Sequence, residues 1–341
     1  MRVERPALHP RSSSAITVDV LLGPADLRRA LEHDVRTGLG TRPRELPPKY
    51  FYDARGSQLF ETITRLPEYY PTRREREILQ EHSRAIAAHS GADTLVELGS
   101  GTSDKTRLLL RALREAGTLR RFVPFDVDAI TLRASAQRIA REFPGLSIHG
   151  VVGDFEHHVS LLPREGRRLI AFLGGTIGNF KPEQRAPFLR EVARQMSPGD
   201  SFLLGTDLVK GIPRLEAAYN DAQGVTAAFN KNVLAVLNTE LHANFVLEAF
   251  EHLARYDARQ GWIEMLLRSV GRQRVRIADL GMDVDFGDGE LLRTEVSAKF
   301  TRRQVDAELA AAGLRTVERW TDGRGDFALT LAVPESQPGS A

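Results

Sequence analysis

The chain contains no cysteine. That excludes disulfides and thiolate metal sites, and it fits a reducing compartment. No run of about 18 consecutive apolar residues is present, so nothing reads as a membrane-spanning helix. Residues 1–14 also lack the apolar core of a secretory signal. An excess of one charge is missing too: 47 Lys and Arg against 45 Asp and Glu leave a formal charge of only +2. Composition therefore gives no basic face for nucleic acid. There is no His-Glu-x-x-His, no phosphate loop and no nucleophile elbow. His157 and His158 are adjacent and diverge on any regular element, which makes them a poor metal pair. The expectation is a cytoplasmic, metal-free protein that binds neither nucleic acid nor membrane and can act as a monomer.

What is present is ordinary for a soluble globular chain: 341 residues, 42% hydrophobic and 27% charged, enough for two modest domains. The informative stretch is Thr94 to Thr106. Leu95, Val96 and Leu98 form a short buried strand, Gly99 and Gly101 turn the backbone, and a helix follows with Leu108, Leu109, Ala112 and Leu113 on one stripe. Ser103 is a candidate cap and Gly117 a left-handed end. Strand, glycine turn and helix N-terminus make a cradle for a nucleotide-like ligand. A dinucleotide fingerprint would need glycine at 104, where Asp104 stands. Glu97, two residues before the first glycine, instead gives the Glu-Leu-Gly-Ser-Gly-Thr pattern of S-adenosylmethionine (SAM) methyltransferases.

Alternation continues from there. Arg121 to Asp128 reads as a second strand ending in acid, so Asp126 is placed to accept from both hydroxyls of a ribose. A third strand, Leu146 to Val152, leads to Asp154 and Phe155, candidates for an adenine amino group and its ring. Leu169 to Leu173 ends in the glycine-rich run Gly174 to Phe180, and Ser201 to Thr206 supplies a fifth strand. Strands and helices in turn argue for a parallel sheet with helices on both faces. After Asp207 the pattern changes: residues 210–256 read as helices and 262–300 as strands. Upstream, Pro24 to Gly40 and the segment around Leu59 to Leu66 read as helices. Thr72 and Glu75 read as a capping box for a long helix to about His89. The chain returns with Thr301 capping a helix to Gly313 and a closing hairpin, Arg315 to Trp320 with Asp326 to Val333.

The expected organisation is an α/β chain: a class I SAM-methyltransferase (Rossmann-like) sheet with a second α+β substrate-binding domain. The SAM-binding domain takes residues 73–209 plus 300–334, and the second domain takes 16–72 plus 210–299. Flexible tails are expected at 1–15 and 335–341.

A more specific likeness rests on motifs outside the cradle. They are Leu-Pro-Pro-Lys-Tyr-Phe-Tyr-Asp at 46–53, Ile-Thr-Arg-Leu-Pro-Glu-Tyr-Tyr-Pro-Thr-Arg at 63–73, Phe-Val-Pro-Phe-Asp-Val-Asp at 122–128, Gly-Thr-Ile-Gly-Asn at 175–179, Leu-Leu-Gly-Thr-Asp-Leu-Val-Lys at 203–210 and Thr-Glu-Val-Ser-Ala-Lys-Phe at 294–300. With these the chain, from about Leu27 to Leu331, resembles the SAM-dependent L-histidine Nα-methyltransferases of ergothioneine biosynthesis. The resemblance implies three methyl transfers to the α-amino group of free histidine, giving hercynine. By motif it implies cofactor contacts at Gly99, Lys105, Asp126, Asp154 and Phe155, with Tyr52 closing over the site. Substrate contacts carried over the same way are Tyr69, Asn179, Tyr219, Glu295 and Ser297, with Thr176, Phe229 and Met265 as wall residues.

The residues add physical sense to this. Glu295 and Ser297 are two apart on a strand, hence on one face and about 7 Å apart, which suits the two nitrogens of an imidazole. Asn179 and Tyr219 can donate to a carboxylate. Lys105, in the first helical turn, is poorly placed for the dipole and suits the cofactor's carboxylate instead. No residue is assigned as a single catalytic base. A different small amine or a protein side chain as acceptor, or a silent SAM-binding regulator, are the competing readings.

Overall fold

The computed structural model describes residues 16–335. The expected tails lie outside that range, except Glu335, whose N–H donates to the Gly313 carbonyl (2.9 Å).

In chain order the elements open with β1 (Ile16–Val20), α1 (Pro24–Gly40), β2 (Arg44–Glu45), α2 (Ala54–Ile63) and α3 (Pro71–Ser90). A regular alternation follows: β3 (Thr94–Leu98), α4 (Thr106–Glu115), β4 (Arg121–Asp126), α5 (Ala129–Glu142), β5 (Ser147–Val152), α6 (Phe155–His158), β6 (Arg168–Phe172), α7 (Pro182–Gln195) and β7 (Ser201–Asp207). The next stretch is α8 (Ile212–Ala218), α9 (Val225–Glu240), β8 (Phe250–Asp257), β9 (Trp262–Ser269), β10 (Gln273–Ile277), β11 (Met282–Phe286) and β12 (Leu291–Ala298). The chain closes with α10 (Arg302–Ala311), β13 (Leu314–Thr321) and β14 (Phe327–Pro334).

One eight-stranded sheet has the order β1-β5-β4-β3-β6-β7-β14-β13. The first six strands are parallel, and β14 and β13 close the edge antiparallel. Every residue of β3, β6 and β7 is buried, as expected of strands covered by helices on both faces. Strand order reverses at β3, whose neighbours are β4 and β6, so a crevice opens beyond its carboxyl end. A second, four-stranded sheet has the order β2-β12-β9-β8, and β10 and β11 form a separate antiparallel hairpin.

The sheets have their own cores, and β12 lies between them. Val296 and Ala298 join the core beside Phe172, Phe188 and Phe202 of the large sheet. Met265 and Ile263, paired across from Glu295 and Ser297, belong to the core with Phe51, Phe229 and Leu237. Alternation along one strand thus anchors β12 in one core and turns Glu295 and Ser297 toward the other.

Four sequence expectations are corrected. Ile16–Val20, expected in the second domain with the rest of 16–72, pairs in parallel with β5 and extends the large sheet. Phe250–Asp257 is a strand, held by antiparallel pairing with β9. Ser103 does not cap α4; it takes a left-handed φ of 56°, and Lys105 occupies the N-cap. Thr72 and Glu75 make no capping box, because α3 begins with Pro71 after Tyr70, which turns Glu75 into the interior. Among the described residues no helix is long and apolar enough to cross a membrane.

Candidate functional site

The cradle forms where strand order reverses. Gly99 (φ 71°) and Gly101 (φ 48°) both take the left-handed conformation that side chains resist. The turn is pinned by β4: Gly99 and Ser100 donate to the Phe125 carbonyl (2.8 and 3.0 Å). Gly101 N–H donates to one oxygen of Asp126 (2.8 Å) and Asp128 N–H to the other (3.0 Å). Burial raises the Asp126 carboxyl, although backbone donors oppose it. A carboxylate held this way still has acceptor capacity for a ligand hydroxyl. Asp128 in turn caps α5 through Ile130 and Thr131 N–H.

Polar atoms at this turn are left unpartnered. Glu97 Oε2 and Ser100 Oγ are buried without a hydrogen-bond partner, while the Thr106 hydroxyl serves Glu97 Oε1. Burial pushes the Glu97 carboxyl up to about 8. Lys105 is ion-paired with the wholly buried Glu75, whose other oxygen accepts from Gly174 N–H (2.7 Å). Phe155 lies beside Gly99 and packs edge-on against Phe172, Phe180 and Phe188. Asp154 accepts from Glu156 N–H (2.9 Å) and faces Lys49 Nζ at 3.6 Å; Lys49 also meets Asp34 at 3.1 Å. A nucleoside with an amino-acid tail fits these groups: carboxylate for ribose, aromatic for base, and unpartnered polar atoms for the tail.

The second group of candidates gathers around β12. Asn179 Nδ2 donates to Glu295 Oε1 (3.0 Å) and to the Val296 carbonyl (2.9 Å). Both amide hydrogens are thereby used, so Asn179 offers a ligand its oxygen and not the expected donation to a carboxylate. Gly178 permits this approach: a β-carbon there would stand 3.0 Å from the Ala298 carbonyl oxygen. Burial raises the Glu295 carboxyl to about 7, against the Asn179 hydrogen bond. Ser297 Oγ and Tyr219 OH are 2.7 Å apart. Tyr69 packs edge-on to Tyr219 and Phe60 (both 6.1 Å between centroids), and Phe229 contacts Phe51, Tyr52 and Phe60. The Thr176 hydroxyl donates back to the Leu173 carbonyl (2.9 Å).

Two links join the groups. The segment Gly174 to Asn179 has Glu75 and Lys105 at one end and Glu295 at the other. Tyr52 is 40% exposed, yet burial of its hydroxyl raises its pKa, with Glu295, Tyr219 and Asp126 adding to the shift. Glu295 and Asp126, one carboxylate from each group, are thus both within electrostatic reach of its hydroxyl. Sequence reasoning did not single out Glu75, Lys49 or Lys299 as site residues; the first was hidden in an apparent capping box, and the other two sit inside quoted motifs.

The profile of the histidine-specific, SAM-dependent methyltransferases matches residues 31–334. This chain belongs to that family. Among relatives of the family, it is 59% identical over 304 residues to the histidine N-alpha-methyltransferase of Mycolicibacterium smegmatis, covering 89% of this chain and 95% of the relative. The figures are the same for the histidine N-alpha-methyltransferase of Mycobacterium tuberculosis. Ergothioneine biosynthesis protein 1 of Neurospora crassa is 30% identical over 314 residues, 87% of this chain and 35% of that longer protein.

Proposed function

We propose that the protein transfers methyl groups from SAM to the α-amino group of free L-histidine, three times in succession, yielding hercynine as the first step of ergothioneine biosynthesis. The observation that carries this reading is the convergence of Glu295, Ser297, Asn179 and Tyr219 at one end of the Gly174 to Asn179 segment whose other end meets the nucleoside cradle.

In this reading the ribose hydroxyls are taken by Asp126, the base lies between Asp154 and Phe155 beside Gly99, and Lys105 and Glu97 face the methionyl tail. Residues 73–209 with 300–334 and β1 form the cofactor domain, and 21–72 with 210–299 form the substrate domain. When bound, SAM supplies a methyl group already activated on a sulfonium. The chain's own task is then alignment and exclusion of water. Glu295 and Ser297 hold the two ring nitrogens, Tyr219 faces the substrate carboxylate, and Thr176, Phe229 and Met265 wall the pocket. Tyr52 and Tyr69 flank the amine. A free α-amino group is mostly protonated at neutral pH, so a proton leaves before each transfer, and no single residue is assigned to take it. The product is a fixed cation, which the faces of Tyr52, Tyr69 or Phe229 stabilise by about 0.5–2 kcal/mol. The absence of cysteine fits a reducing compartment such as the cytoplasm.

Incubation with SAM and each amino acid separately tests the proposal. Histidine should be consumed to a trimethylated product with three SAM used per molecule. Fast methylation of another amino acid with histidine inert would overturn it.

A further inference from the structure

The named pocket residues include one acid, Glu295, and no base; Tyr52, Tyr69, Asn179, Tyr219 and Ser297 are neutral. An amino-acid ligand adds a carboxylate of its own. A positive side chain of the protein that could favour that carboxylate lies one layer behind the pocket wall.

Lys299 is 2% exposed. Its ammonium reaches Tyr219 OH at 3.0 Å, Ser297 Oγ at 2.8 Å and Asp207 Oδ2 at 2.9 Å. Three N–H donors meet three acceptors, so the group is saturated. Burial works against its charge, but Asp207 and Tyr219 outweigh it, and the ammonium titrates above the ordinary lysine value. It therefore only donates, and both hydroxyl oxygens accept from it.

Those oxygens are also 2.7 Å from each other, so one of their two protons lies between them. A single proton remains for the pocket, and the hydroxyl that does not give it presents a lone pair. A carboxylate cannot donate. The hydroxyl facing it must, so a carboxylate at Tyr219 makes Ser297 give its proton to Tyr219 and face the ring as an acceptor. An imidazole between Ser297 and Glu295 meets that demand in either protonation state, because its Ser297-facing nitrogen can always carry hydrogen.

The charge is not cancelled behind Lys299. Asp207 is shared with Lys210 and accepts from Tyr70 OH (2.8 Å), so two ammoniums stand over one carboxylate. Asp326, farther on, is engaged by Arg214 (2.8 Å). A hydroxyl that accepts from a cation becomes a stronger donor in turn.

We propose that Lys299 is a positioning residue for the amino-acid substrate, ordering the Tyr219 and Ser297 protons and placing positive charge behind Tyr219, so that Tyr219 donates to the carboxylate and Ser297 accepts the ring N–H. This rests on the histidine-site reading above. Lys299 itself touches no substrate.

Kinetics of Lys299→Met, Tyr219→Phe and the double variant test it. Each single change should raise the histidine KM about tenfold or more while the SAM KM stays within about threefold, and the double variant should be no more than about threefold worse than the poorer single. Multiplying effects, an unchanged histidine KM in Lys299→Met, or an equal rise in both KM values would overturn the proposal. Should Lys299→Met lose its cooperative melting transition, Lys299→Gln, which keeps a donor without the charge, is read by the same criteria. A silent Tyr219→Phe defeats the histidine-site reading and this inference with it. A damaging Tyr219→Phe beside a silent, folded Lys299→Met defeats this inference alone.

Discussion

Asn179 donates to Glu295 Oε1 at 3.0 Å, and this contact holds down a carboxyl whose burial still leaves it raised to about 7. Asn179→Ala should therefore raise the Glu295 pKa further. Free histidine has a ring pKa of about 6.5, so ring and carboxyl share one proton in the complex. Well below pH 6.5 both partners start protonated and binding releases a proton; well above about 7 neither is, and binding takes one up. Affinity for histidine should be greatest between, weakening toward about tenfold per pH unit outside that window. In Asn179→Ala the alkaline limb should move to higher pH, as read by calorimetric titration across pH.

Glu97 makes a stability prediction of known sign. Its folded pKa of about 8 lies above the ordinary carboxyl value of 4.5. The folded state holds the proton more tightly than the unfolded chain, so this group costs stability progressively as pH rises from about 4.5 to 8. Glu97→Gln removes that cost, on the order of a few kcal/mol at most. Its melting temperature relative to the parent should climb between pH 5 and pH 9; a flat difference would place the unpartnered oxygen in contact with water.

Gly178 is tested by adding one carbon. Alanine there would meet backbone at Ala298, 3.0 Å to its oxygen and 3.1 Å to its nitrogen. Moving the glycine turn off β12 should cost about 1–3 kcal/mol and separate Asn179 from Glu295. The histidine KM should rise several-fold more than the SAM KM.

Asp126→Asn probes the cradle. The variant keeps an acceptor for Gly101 or Asp128 N–H but not for both together with ribose hydroxyls. Affinity for S-adenosylhomocysteine, measured by calorimetry, should fall by about tenfold to a hundredfold, in line with loss of charged hydrogen bonds. Histidine affinity should change far less.

The parallel core was legible because buried strands read as unbroken apolar runs ending in glycine or acid, and Gly117 does end its helix at φ 74°. Phe250–Asp257 was not, since Glu, Leu, Ala and Arg are helix formers; cross-strand partners such as Arg255 with Glu264 override that preference. Ile16–Val20 is largely exposed and borders the Arg- and Ser-rich start, so only its pairing with β5 reveals it. Glu75 shows a different limit: spacing matched a capping box, but proline at the first helical position moved the helix start and freed the carboxylate to meet Lys105. Motif residues brought together near β12 were legible by resemblance, whereas the lysine behind them needed the third dimension.

The most direct test of the account is histidine binding to the double variant Glu295→Ala, Ser297→Ala, measured by calorimetry beside S-adenosylhomocysteine binding to the same preparation. Histidine binding should fall below detection while the nucleoside binds as in the parent. Histidine binding of parental strength in a folded double variant would contradict it.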